Sequence, residues 1–264
     1  RASANQVMGR VLYSAMERVP GLRLADVRGG RFDNVICSRN QAKAAVPADR
    51  AGEFEAFIRE FDAALKNEYA GCDGGVTLTC EKTALDGALT PEATANMLRT
   101  LLAVPQGVQA MNVDFPGLVQ TSLNMGVMEM KEDGLYFGIS VRSCIATQKD
   151  MMVQRLKAIL ELGGGSFTLR GSYPGWQYDR NSALREEVLG AYKSVCGKQG
   201  TIEATHGGLE CGLFVEKLPG LDAVSFGPEL HDVHSVKERL NVASTQRVYE
   251  VTRELLRRES AAGK

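Results

Sequence analysis

Apolar residues recur every three or four positions over residues 3–19, where Val7, Met8, Val11, Leu12, Ala15 and Met16 fall on one face. That spacing predicts a helix, capped by Ser3 and stopped by Pro20-Gly21. Leu22, Leu24 and Val27 predict a short strand, Gly29-Gly30 a turn, and residues 33–47 a second extended stretch interrupted near Asn40. Phe54, Phe57, Ile58, Phe61, Ala64 and Leu65 give residues 52–69 a helical stripe, with Asp49 as a nearby cap. Val76, Leu78 and Cys80 alternate as in a half-buried strand.

A similar order then recurs. Residues 91–102 predict a helix with Pro91 in its first turn. The stretch around Val108, Met111 and Val113 reads as a loop, and two strands flank the hairpin signal Glu132-Asp133-Gly134. Met151, Met152, Leu156, Ile159 and Leu160 stripe a helix over 147–162 that Gly163-Gly164-Gly165 ends, before a last strand at 166–173. Residues 1–173 thus read as two units, about 1–88 and 89–173, each with helices on one face of an antiparallel sheet.

After Pro174 the pattern changes. A helix starts at Asn181-Ser182, a loop leads through "TIEATHGGLECGLF" into a short helix, and "LDAVSFGP" reads as a buried strand. "HDVHS" is a loop, and Ser244 caps a final helix carrying Val248, Val251, Leu255 and Leu256. Strand, loop and covering helix in this order resemble part of a parallel αβα sandwich, with too few strands to close one. The fold class is therefore α/β: an α+β region over 1–173, then the C-terminal part of an αβα sandwich over 174–264.

Composition narrows the function classes. With 44% hydrophobic residues in 264, the chain can build one large core or two ordinary ones. Lys plus Arg number 31 against 32 Asp plus Glu, a balance that argues against a nucleic-acid-wrapping surface, which needs a concentrated basic face. No apolar run is long enough to span a bilayer, and the opening residues lack the compact apolar core of a secretory signal. Six Cys without a CxxC pair fit reduced thiols.

With 3 His in the chain, metal or acid–base chemistry must pass through few residues. His206 precedes Gly207-Gly208, and Glu210 falls in the first turn of the short helix, where it reads either as a cap or as a binding carboxylate favoured by the helix dipole. His231 and His234 follow the "VSFGP" strand, the end at which open α/β sheets bind ligands. The chain contains no HExxH, CxxC or HxD with which to complete a zinc site. Arg142 closes an alternating strand; its planar fork suits a carboxylate, and it reads equally as a solvent-facing strand end.

"SYPGWQYDRNSALREEV", "HGGLECGLF" and "VSFGPELHDVHSVKE", with "GLVQTSLNMGVMEM" and "VRGGRFDNVICSRNQAKAAVP" upstream, resemble the aminoacyl-histidine dipeptidase family (peptidase D, Xaa-His dipeptidase). The resemblance runs over essentially the whole chain and matches about the C-terminal half of a family member. It implies a cytoplasmic, homodimeric metallopeptidase of the carboxypeptidase and carnosinase-like group, with a lid domain inserted into a catalytic domain. It implies two zinc ions, or cobalt or manganese, and a Glu general base that activates water against dipeptides and short peptides, notably Xaa-His.

Carried onto this sequence, the resemblance makes His234 the last metal ligand, Asn34 a lid group that holds the substrate or its tetrahedral intermediate, and Arg142 the reader of the substrate's terminal carboxylate. It makes His206, Gly208 and Glu210 shapers of the pocket, Glu210 toward the substrate's amine. Residues 1–173 become the lid and 174–264 the closing catalytic segment, while the HxD pair, bridging Asp, general base, further Asp ligand and lid His belong upstream of Arg1. Departures exist: Ser235-Val236-Lys237-Glu238 replaces the usual Ser-Pro-Asp-Glu, and "VICSRN" replaces a proline-containing motif. The expected partners are a peptide substrate, a second copy and the N-terminal half of the catalytic domain, with no nucleic acid and no membrane; the chain alone is expected to be inactive. The alternative is a non-catalytic oligomerisation or substrate-gating module from a degenerate paralogue.

Overall fold

The computed structural model describes residues 1–205, 208–233, 235–261 and 263. Its contacts divide the chain into two units: Arg1–Asn112, Val119–Ser143 and Thr147–Gly171 form the first, and Val113–Leu118, Cys144–Ala146 and Ser172–Lys264 the second.

The first unit contains α1 (Ala4–Arg18), β1 (Arg23–Gly29), β2 (Asn40–Ala45), α2 (Ala51–Tyr69), α3 (Pro91–Ala103), β3 (Gly107–Met111), β4 (Val119–Lys131), β5 (Gly134–Ser143) and most of α4 (Ala146–Leu162). All five strands join one antiparallel sheet, so the strands of the two expected halves share a ladder. β5 follows β4 from Thr121↔Ser143 to Lys131↔Gly134. The other edge of β4 is divided: β3 takes it from Val119 to Leu123, and β1 takes it at Met128 and Glu129. Residues 124–127 are left between them, and the chain leaving β1 fills that gap. A Cβ on Gly30, whose φ is +77°, would lie 1.7 Å from the Gly126 carbonyl oxygen, and one on Gly126 would lie 2.1 Å from that of Phe32. Two backbones meet there, and only glycine fits on either side.

One face of the sheet is covered. Leu24, Val27, Leu123, Met125 and Met128 pack with Leu12 of α1, Leu98 and Leu101 of α3, and Met152 and Leu156 of α4. A second cluster joins Val11 and Ala15 of α1 to Phe57, Ile58 and Leu65 of α2. Each such side chain, fully buried, stabilises by about 1.5–3 kcal/mol. Asn5 is fully buried at the start of α1. Its amide donates to the carbonyls of Met125 (3.0 Å) and Gly29 (3.4 Å), and its oxygen accepts from Asn40 (2.8 Å), fastening helix, β1 and β4 together.

Several expectations are corrected. Residues 75–82 and 166–173 join no ladder among the described residues. The Leu78 N–H donates to the Asp62 carboxylate on α2 (2.7 Å) instead of to a strand. In the later stretch Phe167 packs against the core while Leu169 is exposed, too little alternation to hold an edge. The stretch expected as a loop is β3, which pairs through its backbone while Val108 and Met111 stay exposed, so side-chain pattern could not reveal it. Ser3 occupies the N-cap of α1 but makes no side-chain cap bond; the Cys37 carbonyl accepts the Ala4 N–H instead (2.8 Å). Asp49 lies in a single 3₁₀ turn before α2 and caps nothing.

In the second unit α5 (Ala183–Cys196) and α7 (Val242–Ala261) bury Val188, Ala191 and Val251, and α6 (Glu210–Lys217), β6 (Leu230–His231) and β7 (Arg239–Leu240) complete the regular elements. The helix expected to start at Asn181-Ser182 is α5, and Ser182 caps it, accepting from the Arg185 N–H (3.0 Å). Ser244 instead lies inside α7; its N–H donates to the Asn241 side chain (3.1 Å), which is the actual cap. "LDAVSFGP" forms no strand ladder among the described residues. Asp222 at its start accepts from the Ser182 hydroxyl (2.7 Å) and the Leu184 N–H (2.9 Å).

Two outcomes follow from these contacts. Asn5→Ala strands the Gly29, Met125 and Asn40 groups and costs about 1–3 kcal/mol in urea unfolding. The Ser182 hydroxyl, helped by backbone N–H groups at Leu184 and Ala183, holds the Asp222 carboxyl below the usual carboxylate range. Its stabilisation is therefore complete above the unfolded value of about 3.9 and is lost as pH falls through the depressed folded value. Amide protection at Leu184, measured by hydrogen exchange, falls across that acid window in the native protein, and Asp222→Asn removes the dependence.

Candidate functional site

On the first unit the site candidates meet on the face of the sheet that the helices leave open. In β4, Leu123 and Met125 face the core, so Ser122 and Asn124 face away. Arg142 of β5 pairs directly with Ser122 and shares its face. Its guanidinium is exposed and has no ion-pair or hydrogen-bond partner among the described residues. Its strand end is held from the next residue, where the Ser143 and Thr121 hydroxyls hydrogen-bond at 2.9 Å.

Asn34 is carried on the exposed loop that fills the gap in β4. The Asn124 amide donates to the carbonyls on either side of it, Asp33 at 2.7 Å and Val35 at 2.9 Å. Asn124 is itself oriented by Gln106, whose amide donates to its oxygen (3.0 Å) and whose oxygen accepts the Met125 N–H (2.7 Å). The Asn34 side chain makes no hydrogen bond of its own among the described residues, which leaves a donor and an acceptor on a clamped backbone. Ser122 and Asn124 are two residues apart, so the anchors of Arg142 and of the Asn34 loop are about 7 Å apart along β4.

Sequence reasoning missed Asn124 and Gln106. The signal was present in "LNMG", where an amide on the polar side of an otherwise apolar strand stands two residues before a glycine.

On the second unit the two glycine motifs dock on each other. A Cβ on Gly208 would lie 1.8 Å from Cε2 of Tyr173, and one on Gly212 would lie 3.3 Å from the Pro174 carbonyl oxygen and from Cβ of Trp176. The "YPGW" stretch thus rests against Gly208 and Gly212 through their missing side chains, and Trp176 packs there. Glu210 is the first residue of α6 and exposed, with no hydrogen bond or ion pair among the described residues. Leu209 is the N-cap, so the capping alternative for Glu210 is not realised. Cys211 is half-buried beside it.

His206 and His234 lie outside the described residues. The residues flanking His234 are nonetheless tightly made: β6 and β7 pair as Leu230↔Leu240 and His231↔Arg239. Arg239 reaches the Asp232 carboxylate at 2.8 Å, and the Ser235 hydroxyl donates to the Asp232 carbonyl at 2.7 Å. Asp232 has φ +53°, the left-handed region Asp tolerates better than most residues. Among the described residues no three His, Cys, Asp or Glu side chains are grouped to hold a metal ion. Nor is any helix among them long and apolar enough to cross a membrane.

A mixed α/β fold with an antiparallel sheet and one-sided helices is shared with a solved dipeptidase. The crystal structure of aminoacylhistidine dipeptidase from Vibrio alginolyticus matches 97% of this chain with a TM-score of 0.89 and 30% identity, over 52% of that protein. Cytosol non-specific dipeptidase of Escherichia coli (strain K12) is 34% identical over 256 residues, 97% of this chain and 53% of the relative. The chain is related to these dipeptidases and is of peptidase-family origin; it spans about half their length. No family model matches it.

Gly208→Ala drives a methyl into the Tyr173 ring. It destabilises the second unit by about 1–3 kcal/mol and shifts the emission of Trp176, the single Trp of the chain. Urea melts followed by that fluorescence measure both, and adding Tyr173→Ala recovers most of the loss.

Proposed function

We propose that this chain is the lid, residues 1–173, and the closing catalytic segment, residues 174–264, of a metal-dependent dipeptidase acting on Xaa-His dipeptides and other short peptides. The observation that carries this reading is the shared fold with aminoacylhistidine dipeptidase across 97% of the chain. The convergence of Arg142 and the Asn34 loop on one open sheet face supports it.

The described residues do not form a metal centre by themselves, so the roles assigned to this chain are binding and orientation. Arg142 presents a planar fork with no competing partner and takes the substrate's terminal carboxylate through paired charge-assisted hydrogen bonds. The Asn34 amide, on a backbone that Asn124 fastens at Asp33 and Val35, donates to the oxygen that gains charge as the peptide bond is attacked. Glu210 faces the substrate's amine, and His206 and Gly208 shape the pocket around it. His234 is this chain's contribution to a pair of divalent metals, zinc or in its place cobalt or manganese. The general base and the other ligands come from the half of the relatives' length outside the match. A cytoplasmic homodimer accords with the relative's name, cytosol non-specific dipeptidase, for location, and with the exposed strand edges of the first unit for assembly.

The purified 1–264 chain, supplied with zinc or cobalt and a Xaa-His dipeptide, releases no histidine; turnover at a whole dipeptidase's rate overturns the division of labour. Joined to the other half of the Escherichia coli relative, it hydrolyses the dipeptide, and His234→Ala removes the activity. Persistent inactivity of the joined protein would instead favour a gating module. In that protein Arg142→Ala raises KM for a free-carboxylate dipeptide by about 100-fold and leaves a C-terminally amidated one nearly unchanged, as steady-state kinetics on the two substrates would show.

A further inference from the structure

On the helix-covered side of the first unit, α1 and α2 leave a groove that the roles above do not use. Its volume is about 480 Å³, and Glu17 and Arg18 of α1 line it together with Phe57, Glu60 and Phe61 of α2. The floor is fixed. Phe57 is buried in the cluster that joins α1 to α2, and Phe61 packs against that cluster with its ring centroid 5.3 Å from that of Phe57. An aromatic ring attracts cations to its negative face. The chain itself uses Phe61 in this way: the Arg10 guanidinium, paired with Glu68 at 2.7 Å, lies 5.2 Å from the ring centroid.

The rim is acidic. Glu17 and Glu60 are exposed, one on each helix, and neither has an ion pair among the described residues. The Tyr13 hydroxyl donates to the Glu17 carboxylate and orients it. The Arg18 guanidinium on the same wall is drawn instead to Glu53 (3.7 Å), which Arg50 also meets (2.7 Å). Two carboxylates without a cation, above an aromatic floor, complement a positive charge that carries an apolar body.

The dimensions decide the kind of occupant. The α1 wall runs from Ser14 to Arg18, about 6 Å of helix axis. That is shorter than the ~10 Å between the i and i+7 anchors of a docked helix. The volume instead falls in the range of about 300–1,000 Å³ found for small-molecule sites. We propose that the α1–α2 groove binds a small organic cation, an amine or guanidinium on an apolar body of about one ring, with the charge between Glu17 and Glu60 and the body on Phe57 and Phe61. The groove lies on the opposite side of the sheet from Arg142 and Asn34, so the proposal stands apart from the dipeptidase reading.

The test follows the backbone amide resonances of the 1–264 chain by NMR during titration with phenethylamine, 2-phenylethanol and 3-phenylpropionate, which share a ring and differ in charge. Phenethylamine is expected to give saturable shifts confined to residues 14–18 and 57–64, with a Kd of about 1 mM or below. The alcohol binds about 10-fold more weakly, and the carboxylate gives no saturable shift. The double variant Glu17→Gln, Glu60→Gln weakens phenethylamine by about 10-fold and leaves the alcohol unchanged, while circular dichroism shows the helices retained. Absence of saturation, equal binding of amine and alcohol, shifts centred elsewhere, or an amine affinity indifferent to the double variant overturns the proposal. So does a concentration dependence of the same amides without any probe, which would make a second copy the occupant. Displacement of phenethylamine by a far tighter basic helical peptide overturns it as well, in favour of a partner helix.

Discussion

The first unit depends on how one interrupted strand edge is closed. β4 offers a single edge to two strands, and neither β1 nor β3 covers residues 124–127. An uncovered stretch of backbone in the middle of a sheet costs free energy unless something else satisfies it. Side chains do so at Met125, whose N–H donates to Gln106 and whose carbonyl accepts from Asn5, while the chain between β1 and β2 packs over the gap through the Gly30–Gly126 backbone approach and the two carbonyl acceptors of Asn124. Asn5 reaches the same place from the helix side, binding the carbonyls of Gly29 and Met125. The helix layer, β1, β4 and the exposed loop are thus coupled at one point, and the backbone on either side of Asn34 is fastened to the sheet there.

The same economy governs the second unit, where glycines allow contact between segments that would otherwise stand apart. Tyr173 lies against Gly208 and the Pro174–Trp176 stretch against Gly212, so two motifs separated in sequence by more than thirty residues pack on each other. Asp222 and Glu229 tie the intervening strand-like segment to the starts of α5 and α7.

In the proposed reading, Arg142 and Asn34 recognise substrate rather than react with it. A guanidinium without a partner among the described residues and a side-chain amide on a clamped loop would offer charge complementarity and a donor, the contributions expected of one wall of a cleft. Bond cleavage requires a base and a metal pair, and among the described residues no ligand group of that kind is assembled.

Much of this was legible in the residues alone. Helical spacing located α1 to α5, the Glu132-Asp133-Gly134 signal located the β4–β5 hairpin, and the glycine motifs pointed to the dipeptidases, because each is a local pattern imposed by its own backbone geometry. The merging of two apparent halves into one sheet, the pairing of β3 with exposed Val108 and Met111, and the loss of the strands expected at 75–82 and 166–173 were decided by competition for edges. So was the unpaired state of 223–227, whose composition says strand while no neighbour in the described residues offers a ladder. Periodicity reports which side of a segment is apolar; hydrogen-bond partners across the chain are a property of the assembled backbone. That is why Asn124 acquires its meaning only when the carbonyls of Asp33 and Val35 arrive beside it.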